Sequence, residues 1–351
     1  MDLSNIMNRK CEWLDIKGPK SSIALSSRVR LARNLRGHIY FNRANDTQRE
    51  ETLNTLLLGF KHSASFKSAG TFMMSELSEL DKTVLVERHL MSREHMLEDS
   101  HKALIVEDEQ IISAMINEED HLRLQVIRSG FNLRGAWNIA DSMDDELSRN
   151  VGFDYSNRFG YLTACPTNTG TGLRASVMLH LSALVMTGEI DGVYEAISKL
   201  GLAMRGFYGE GTEALGDFFQ ISNQVALGHS ELEAINYLEG VINRIVTREE
   251  SLRQELLGKR QELLADRVFR SYGTLKSARI ITFAETIKLL SSVRLGVALG
   301  MIDDIGMSKV NRILLRTQPA HLQKEIEEGT EKYERDIKRA DLLKDELGTG
   351  N

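Results

Sequence analysis

The chain has 351 residues, 42% of them hydrophobic and 27% charged, and its formal net charge is -6. Such a composition supports about two folded domains and excludes a disordered or fibrous chain. A negative chain is not a general nucleic-acid coat, yet 28 arginines stand against 16 lysines, and arginine is the side chain suited to forked recognition of phosphate and carboxylate.

In chain order, residues 22–31 read as a strand or buried loop. A helix is predicted over 46–61, where Leu53, Leu56, Leu57 and Phe60 recur at helical spacing. Short β-type runs follow at 84–86, 103–107 and 122–127. Residues 137–150 read as a helix with Ile139, Met143 and Leu147 on one face. Glycines then cluster, at Gly152, Gly160, Gly170, Gly172, Gly206, Gly209 and Gly211. This irregular order predicts an α+β fold rather than a βαβ repeat.

After Ser222 the pattern becomes helix after helix. Ser230 and Glu233 have capping-box spacing and precede Ile235, Leu238, Val241, Ile242 and Ile245. Thr247 with Glu250 reads as a second start, for a helix to about Phe269, and Thr282 with Glu285 as a third. Another helix ends before Pro319, and 320–347 forms the last. Leu289, Val293 and Val297, four apart, need a partner surface, either within the chain or in a dimer.

Cys11 and Cys165 are the only cysteines and cannot build a disulfide framework. The apolar stretches around 177–186 and 293–302 are too short to span a bilayer, and residues 1–13 have no apolar signal core. A soluble, reducing, cytoplasmic setting is expected.

The densest chemical signal is residues 165–176, CPTNTGTGLRAS. Two glycines allow close backbone approach to a ligand. Threonines and turn amides can donate to phosphate oxygens, and Arg174 offers a charged fork. A plain polar turn between a strand and a helix accounts for the same residues. So does the dinucleotide fingerprint G-x-G-x-x-A at Gly170, Gly172 and Ala175, with Glu189 and Asp191 near the acidic offset; Pro166 argues against the buried strand that fingerprint needs. No Walker A motif, no H-R-D or D-F-G set and no spaced Cys/His quartet is present.

Three further segments carry charge in useful patterns. In Ser26-Ser27-Arg28-Val29-Arg30 the two arginines share a strand face. Residues 117–123, NEEDHLR, mix adjacent acids with a cation. Residues 205–211, RGFYGEG, could deliver one arginine and one carboxylate. Each alone reads equally as solvated surface. Together they suit phosphoryl transfer to a guanidinium. Cations neutralise a triphosphate, carboxylates orient the acceptor, a carboxylate base removes its proton, and a thiolate steadies its charge.

These four blocks, in this order, resemble the ATP:guanidino phosphotransferases, the phosphagen kinases, over about residues 20–225. The resemblance implies an α+β fold with an antiparallel sheet flanked by helices over 15–250, then an all-α domain over 251–351. Relative to metabolic members the small helical N-terminal domain is missing and about 120 helical residues follow the last block. That arrangement is similar to bacterial protein-arginine kinases of the McsB type, which phosphorylate arginines in proteins and mark them for Clp-type proteolysis. In that family Arg28, Arg30, Arg123, Arg174 and Arg205 would hold the ATP phosphates. Glu119, the favoured base, and Glu210 would align the guanidinium, beside Cys165.

The nucleotide contacts would further include Ser26, Ser27, Val29, His89, Ala175, Ser176, Val177, Met178, Gly206, Phe207, Tyr208 and Gly209. Val177-Met178-Leu179-His180 departs from the V-H-I-K of many metabolic members at the adenine contacts. Residues 335–340, RDIKRA, resemble the family's phosphoarginine-binding motif, with Arg335, Asp336, Arg339 and Ala340; otherwise they read as a surface ion-pair helix. ATP and Mg²⁺, without a metal-ligand signature, are the implied cofactors. Implied partners are protein substrates with exposed arginines, a second copy in a homodimer, a zinc-binding activator protein and a Clp unfoldase, with no nucleic acid and no membrane. The alternatives are a free-arginine kinase, a non-catalytic phosphoarginine-binding module and a nicotinamide-dependent oxidoreductase.

Overall fold

A computed structural model describes residues 3–97, 100–206, 214–326 and 331–348. Its first strand, β1 (Ala24–Arg33), fully buries Val29 and Leu31 and leaves Arg28 and Arg30 half-buried. The two-residue period of a strand puts these pairs on opposite faces, so β1 alone separates an apolar side from a cationic one. It sits fifth in an eight-stranded sheet. The other members are β2 (Gly70–Met73), β3 (Ala103–Val106), β4 (Ile112–Ile116), β5 (Leu122–Ser129), β8 (Leu173–His180), β9 (Leu202–Gly206) and β10 (Phe218–Asn223), while β6 (Tyr155–Ser156) and β7 (Gly160–Tyr161) form a separate hairpin. The sheet order is β2-β3-β4-β5-β1-β8-β10-β9, and every pairing is antiparallel.

Helices cover the apolar face of the central strands, and a smaller apolar cluster around Leu104, Val106 and Met115 packs two further helices, those of Ile6 and Leu85, on the other face. The early ones are α1 (Leu3–Asn8), α2 (Asp46–Lys61), α3 (Glu79–Glu87), α4 (Leu133–Ser148), α5 (Ser182–Thr187) and α6 (Ile190–Lys199). Asn132 caps α4 through the Gly135 amide, and Leu133, Ala136, Trp137, Ala140 and Leu147 are buried against β1 and β5. Full burial of a large aliphatic side chain contributes about 1.5–3 kcal/mol, so this stripe anchors the sheet firmly. The cap places the start of α4 four residues before the predicted one. In α2 both bonds of an Asn45–Gln48 capping box are made.

Residues 84–86, expected as a β-run, lie inside α3. Ser78 and Asp81 form a capping box ahead of them, and Val84 and Leu85 are buried on one helical face.

The later helices are α7 (Glu231–Lys259), α8 (Gln261–Ser277), α9 (Phe283–Ala298), α10 (Met307–Arg316), α11 (Pro319–Lys324) and α12 (Lys332–Gly348). Ser230 and Glu233 complete the expected capping box of α7. Thr247 starts nothing: the buried stripe runs on through Ile245, Glu249, Leu252 and Leu256, so α7 continues 29 residues and passes through the expected boundary at 250/251. The stretch 320–347, expected as one helix, is divided between α11 and α12. Val293 is fully buried in the core shared with α8, which supplies the partner its face required within the chain. No helix among the described residues is long and apolar enough to cross a membrane.

Buried polar groups tie these helices to the sheet. The guanidinium of Arg294 on α9 is fully buried and donates to the carbonyls of Ser22 (2.9 Å) and Ser21 (2.8 Å), just ahead of β1, and to Asn311 Oδ1 (3.2 Å). Arg253 on α7 donates to the same Ser22 carbonyl (3.1 Å), to the His180 carbonyl at the end of β8 (3.0 Å) and to Glu249 (2.7 Å). Burial, then the neighbouring Arg253 charge, brings the Arg294 guanidinium down to about 9. Replacing Arg294 by methionine takes this donor from the Ser21 carbonyl and from Asn311 Oδ1 and leaves the Ser22 carbonyl to Arg253 alone. A loss of about 2–5 kcal/mol in unfolding free energy is expected, read as a lower urea midpoint with an unchanged slope.

Candidate active site

Strand register carries the cationic face across the sheet. Arg28 stands opposite Ser176 and Arg30 opposite Arg174 on β8. Arg30 also faces Gln125, and Ala32 faces Arg123, on β5. Gln220 on β10 faces both Met178 and Arg205, and Ser222 faces Ser176. Opposed residues of an antiparallel pair share a face. Arg28, Arg30, Arg123, Arg174 and Arg205 therefore all project from one side, brought there from four strands. With Glu118, Glu119, Gln220 and Ser222 they line a cavity of about 770 Å³.

At rest this site is electrostatically strained. Burial, then the charges of Arg123 and Arg174, brings Arg28 down to about 10. Arg30 is pushed well down by burial and by Arg28, Arg123 and Arg174. Arg174 falls through burial, then Arg205 and Arg123. Only a multiply charged anion relieves all of these repulsions together.

The acidic loop between β4 and β5 forms one wall. Glu118 is held by Arg123 Nη1 (2.8 Å) and by the Ser92 hydroxyl, and burial pushes its carboxyl up. Glu119 is the freer carboxylate: its side chain is 46% exposed against 2% for Glu118, and Arg123 Nη2 lies 3.5 Å away. Asp120 points away from the cavity and is buried. Its Oδ1 accepts from Asn34 Nδ2 (2.7 Å) and from the Ala164 amide (2.7 Å). The neighbouring Cys165 is partly exposed, with its sulfur 3.0 Å from Thr167 Oγ1. His121 accepts the Leu35 amide at Nδ1 (3.0 Å), which leaves Nε2 to donate to the Ile39 carbonyl (3.0 Å).

Of the remaining candidates, the described ones are not among the residues that line the cavity. Val29, Ala175 and Val177 are fully buried in the core beneath the opposite face. Ser26 is buried, and the Ser27 hydroxyl is spent on the Gly130 carbonyl (2.9 Å) and the Asn132 amide (2.8 Å). Ser176 accepts from Gln220 (2.8 Å), and Met178 is buried on the cationic side of β8. His89 packs on Trp13 with ring centroids 4.7 Å apart, and its carbonyl accepts from Gln125 (2.6 Å); burial, then the Arg28 charge, brings its imidazole down to about 3. Gly206 closes β9, while Phe207, Tyr208, Gly209 and Glu210 lie outside the described residues.

On α12, Arg339 is buried and donates to the carbonyls of Thr317 (3.0 Å) and Ile281 (3.1 Å) and to Asp336; Arg335 reaches Gln323 (3.4 Å), and Ala340 is buried. Arg339 and Ala340 are thus buried, while Arg335 and Asp336 are partly exposed and Lys338 is exposed.

The dinucleotide reading of 170–175 fails on topology. Gly172 opens strand β8, not a helix whose N-terminus could receive a pyrophosphate. Its φ is +65°, and a Cβ there would come within 2.5 Å of the Ala32 carbonyl oxygen, so this glycine serves sheet packing. Sequence reading missed Arg49 and Lys102, which line the cavity and flank the Phe41 ring at 4.3 and 5.3 Å. A signal existed for Arg49: it continues the Leu53, Leu56 and Phe60 stripe of α2, so a cation there has to reach a buried wall. Among the described residues no group of three His, Cys, Asp or Glu side chains is placed to hold a metal ion.

Residues 53–252 match the family model of the ATP:guanido phosphotransferase C-terminal catalytic domain, and residues 261–351 match that of the protein-arginine kinase McsB C-terminal domain. A protein-arginine kinase of Halothermothrix orenii is 44% identical, covering 99% of each chain. Another, of Pelotomaculum thermopropionicum, is 42% identical, covering 97% of each. Among solved structures, a lombricine kinase superposes with a TM-score of 0.60 at 24% identity, covering 70% of this chain and 73% of that one. A duplicated taurocyamine kinase of Schistosoma mansoni gives 0.61 at 23%, covering 77% and 42%. The sheet and its flanking helices thus form the phosphagen-kinase fold.

The repulsion within the arginine face yields a stability test. In phosphate-free buffer Arg30→Met is expected to be more stable than the parent by about 0.5–2 kcal/mol. It should also lose most of the stabilisation by tripolyphosphate, which for the parent is about 2.7 kcal/mol at 100 times the Kd. Thermal melts with and without the polyanion measure both.

Proposed function

The chain belongs to the protein-arginine kinases, within the ATP:guanido phosphotransferase family, and from that and its arginine face we propose that it transfers the γ-phosphoryl group of ATP to arginine side chains in proteins. The observation that carries the reading is the convergence of five arginines from four strands on one cavity bordered by Glu94, Glu118 and Glu119. Phosphoryl transfer needs little covalent help; it needs the phosphates held in line with the acceptor and the developing charge neutralised. Arg28, Arg30, Arg123, Arg174 and Arg205 supply that charge from rigid strands, at positions set before any ligand arrives.

The acceptor is a guanidinium, and a proton must leave the attacking nitrogen. Glu119 is placed for that work, because Glu118 is already committed to Arg123 and Ser92. Cys165 supplies a thiol on the acceptor side that steadies the guanidinium charge. Glu210, on the segment after β9, is the second carboxylate of the reading. Mg²⁺ keeps several waters and is commonly bound through substrate phosphates. That habit fits a site with no cluster of metal ligands among the described residues, and when bound the ion would screen the phosphate oxygens.

Within the same reading, phosphorylated proteins are marked for Clp-type proteolysis in the cytoplasm. The chain works as a homodimer with a zinc-binding activator, and Arg335, Asp336, Arg339 and Ala340 receive phosphoarginine as a regulatory ligand. A ligand there has to compete with the carbonyls and the carboxylate that Arg339 now holds.

The decisive measurement is incubation with ATP, Mg²⁺ and an arginine-rich protein. The expected product is an acid-labile phosphoramidate on arginine side chains, and phosphate on free arginine alone would establish the metabolic alternative. Glu119→Gln should lower kcat by about 10²–10⁴-fold, the usual range for a general base, and full activity in that variant would remove Glu119 from the role.

A further inference from the structure

Asp120 sits between the two acceptor-side groups without belonging to either. It follows Glu119 directly, and its Oδ1 holds the amide of Ala164, the residue before Cys165, at 2.7 Å. The same oxygen accepts from Asn34 Nδ2 at 2.7 Å. Asn34 follows β1 immediately and closes the junction from the other side. Its Oδ1 accepts the His121 amide (2.9 Å), and its Nδ2 also donates to the Leu162 carbonyl (3.1 Å). The carboxylate is 1% exposed, and its second oxygen, Oδ2, is buried with no hydrogen-bond partner. A buried carboxylate with one lone oxygen is costly to keep, and an apolar hairpin would close this turn without it.

We propose that Asp120 is a positioning residue that fixes the spacing of Glu119 and Cys165, and so sets the acceptor half of the site independently of the phosphate half. The two halves are held by different means. The phosphate-side arginines take their places from strand register. Glu119 and Cys165 are on loops, where no ladder of backbone bonds fixes a side chain, and the Asp120–Ala164 bond is the direct tie between those loops. Loosening it lets the acceptor nitrogen drift from the γ-phosphorus while the arginine face stays in place. Misplacement by about 1 Å can cost about 10²-fold in rate. The inference rests on the arginine-kinase reading, and one of its measurements needs no turnover.

The test compares Asp120→Ala with Asp120→Asn in the full chain. Asparagine keeps an oxygen for the Ala164 amide and removes only the charge. A positioning role predicts kcat about 10–100-fold lower in Asp120→Ala, an ATP KM within about twofold of the parent, and recovery to within about threefold in Asp120→Asn. Alkylation of Cys165 by iodoacetamide, followed without ATP, should change rate in Asp120→Ala and not in Asp120→Asn; Cys11 is buried and does not compete. Equal losses in both variants, or a parallel rise in ATP KM, would overturn the proposal. So would an alkylation rate in Asp120→Ala equal to the parent's. Should Asp120→Ala fail to fold, Asn34→Ala removes the other donor to Oδ1 and must show the same kcat loss at constant ATP KM, or the proposal falls. A parent enzyme that makes no phosphoarginine would sink the kinase reading alone, and the alkylation comparison would still decide the role of Asp120.

Discussion

Like charges held side by side are the constraint around which this protein is built. Burial, then the charges of neighbouring guanidinium groups, lowers the affinity of Arg28, Arg30 and Arg174 for protons. Within the cationic face only Arg123 is ion-paired, to Glu118 and Glu119, among the described residues, so most of its positive charge stays uncompensated without an anion. The face is imposed from behind, by Val29, Leu31, Val126, Ala175, Val177 and Ile221, which bury the reverse of the same strands under α4 and α7. Because side chains alternate strictly along a strand, a slip of one residue in any ladder would bury the guanidinium groups and expose the core. Register and apolar burial thus hold a repulsive cluster ready for a polyanion.

The acceptor side follows a different principle. Its carboxylates and thiol stand on turns, and their places depend on individual hydrogen bonds: Asn34 and the Ala164 amide donate to Asp120, Ser92 donates to Glu118, and Cys165 pairs with Thr167. One half of the cavity is therefore as rigid as the sheet, and the other is as adjustable as a few polar contacts allow. That division suits a reaction in which one substrate is invariant and the other arrives on varied polypeptides.

Much of this was legible in the sequence where periodicity and chemistry coincide. The i, i+2 spacing of Arg28 and Arg30 shows their shared face without a structure. The capping residues Ser230 and Glu233 mark the start of α7. Legibility failed where long-range packing decides. Val84, Leu85 and Val86 look like a strand in isolation, and only the Ser78 cap and the neighbouring layer make them helical. Thr247 looks like a helix start, and only the buried stripe beyond it shows that the helix continues. Lys102, just ahead of β3, belongs to the cavity because it meets Arg49 of α2 across the Phe41 ring, a long-range contact that local pattern does not reveal. Arg339 shows the opposite failure: its motif reads as surface, yet its guanidinium is buried among backbone carbonyls.

The contact of Arg294 and Arg253 with the carbonyls ahead of β1 bears on how such a protein can change over time. By sequence, the last third resembles an added module that could be exchanged between relatives. Its two buried guanidinium groups instead complete the start of the strand that carries Arg28 and Arg30, and α7 runs unbroken through the apparent join. Recombination at that join would cut a continuous helix and put at risk the guanidinium donors of the Ser21 and Ser22 carbonyls. Substitutions in the C-terminal helices that remove Arg294 or Arg253 would therefore reach the strand that carries the catalytic arginines.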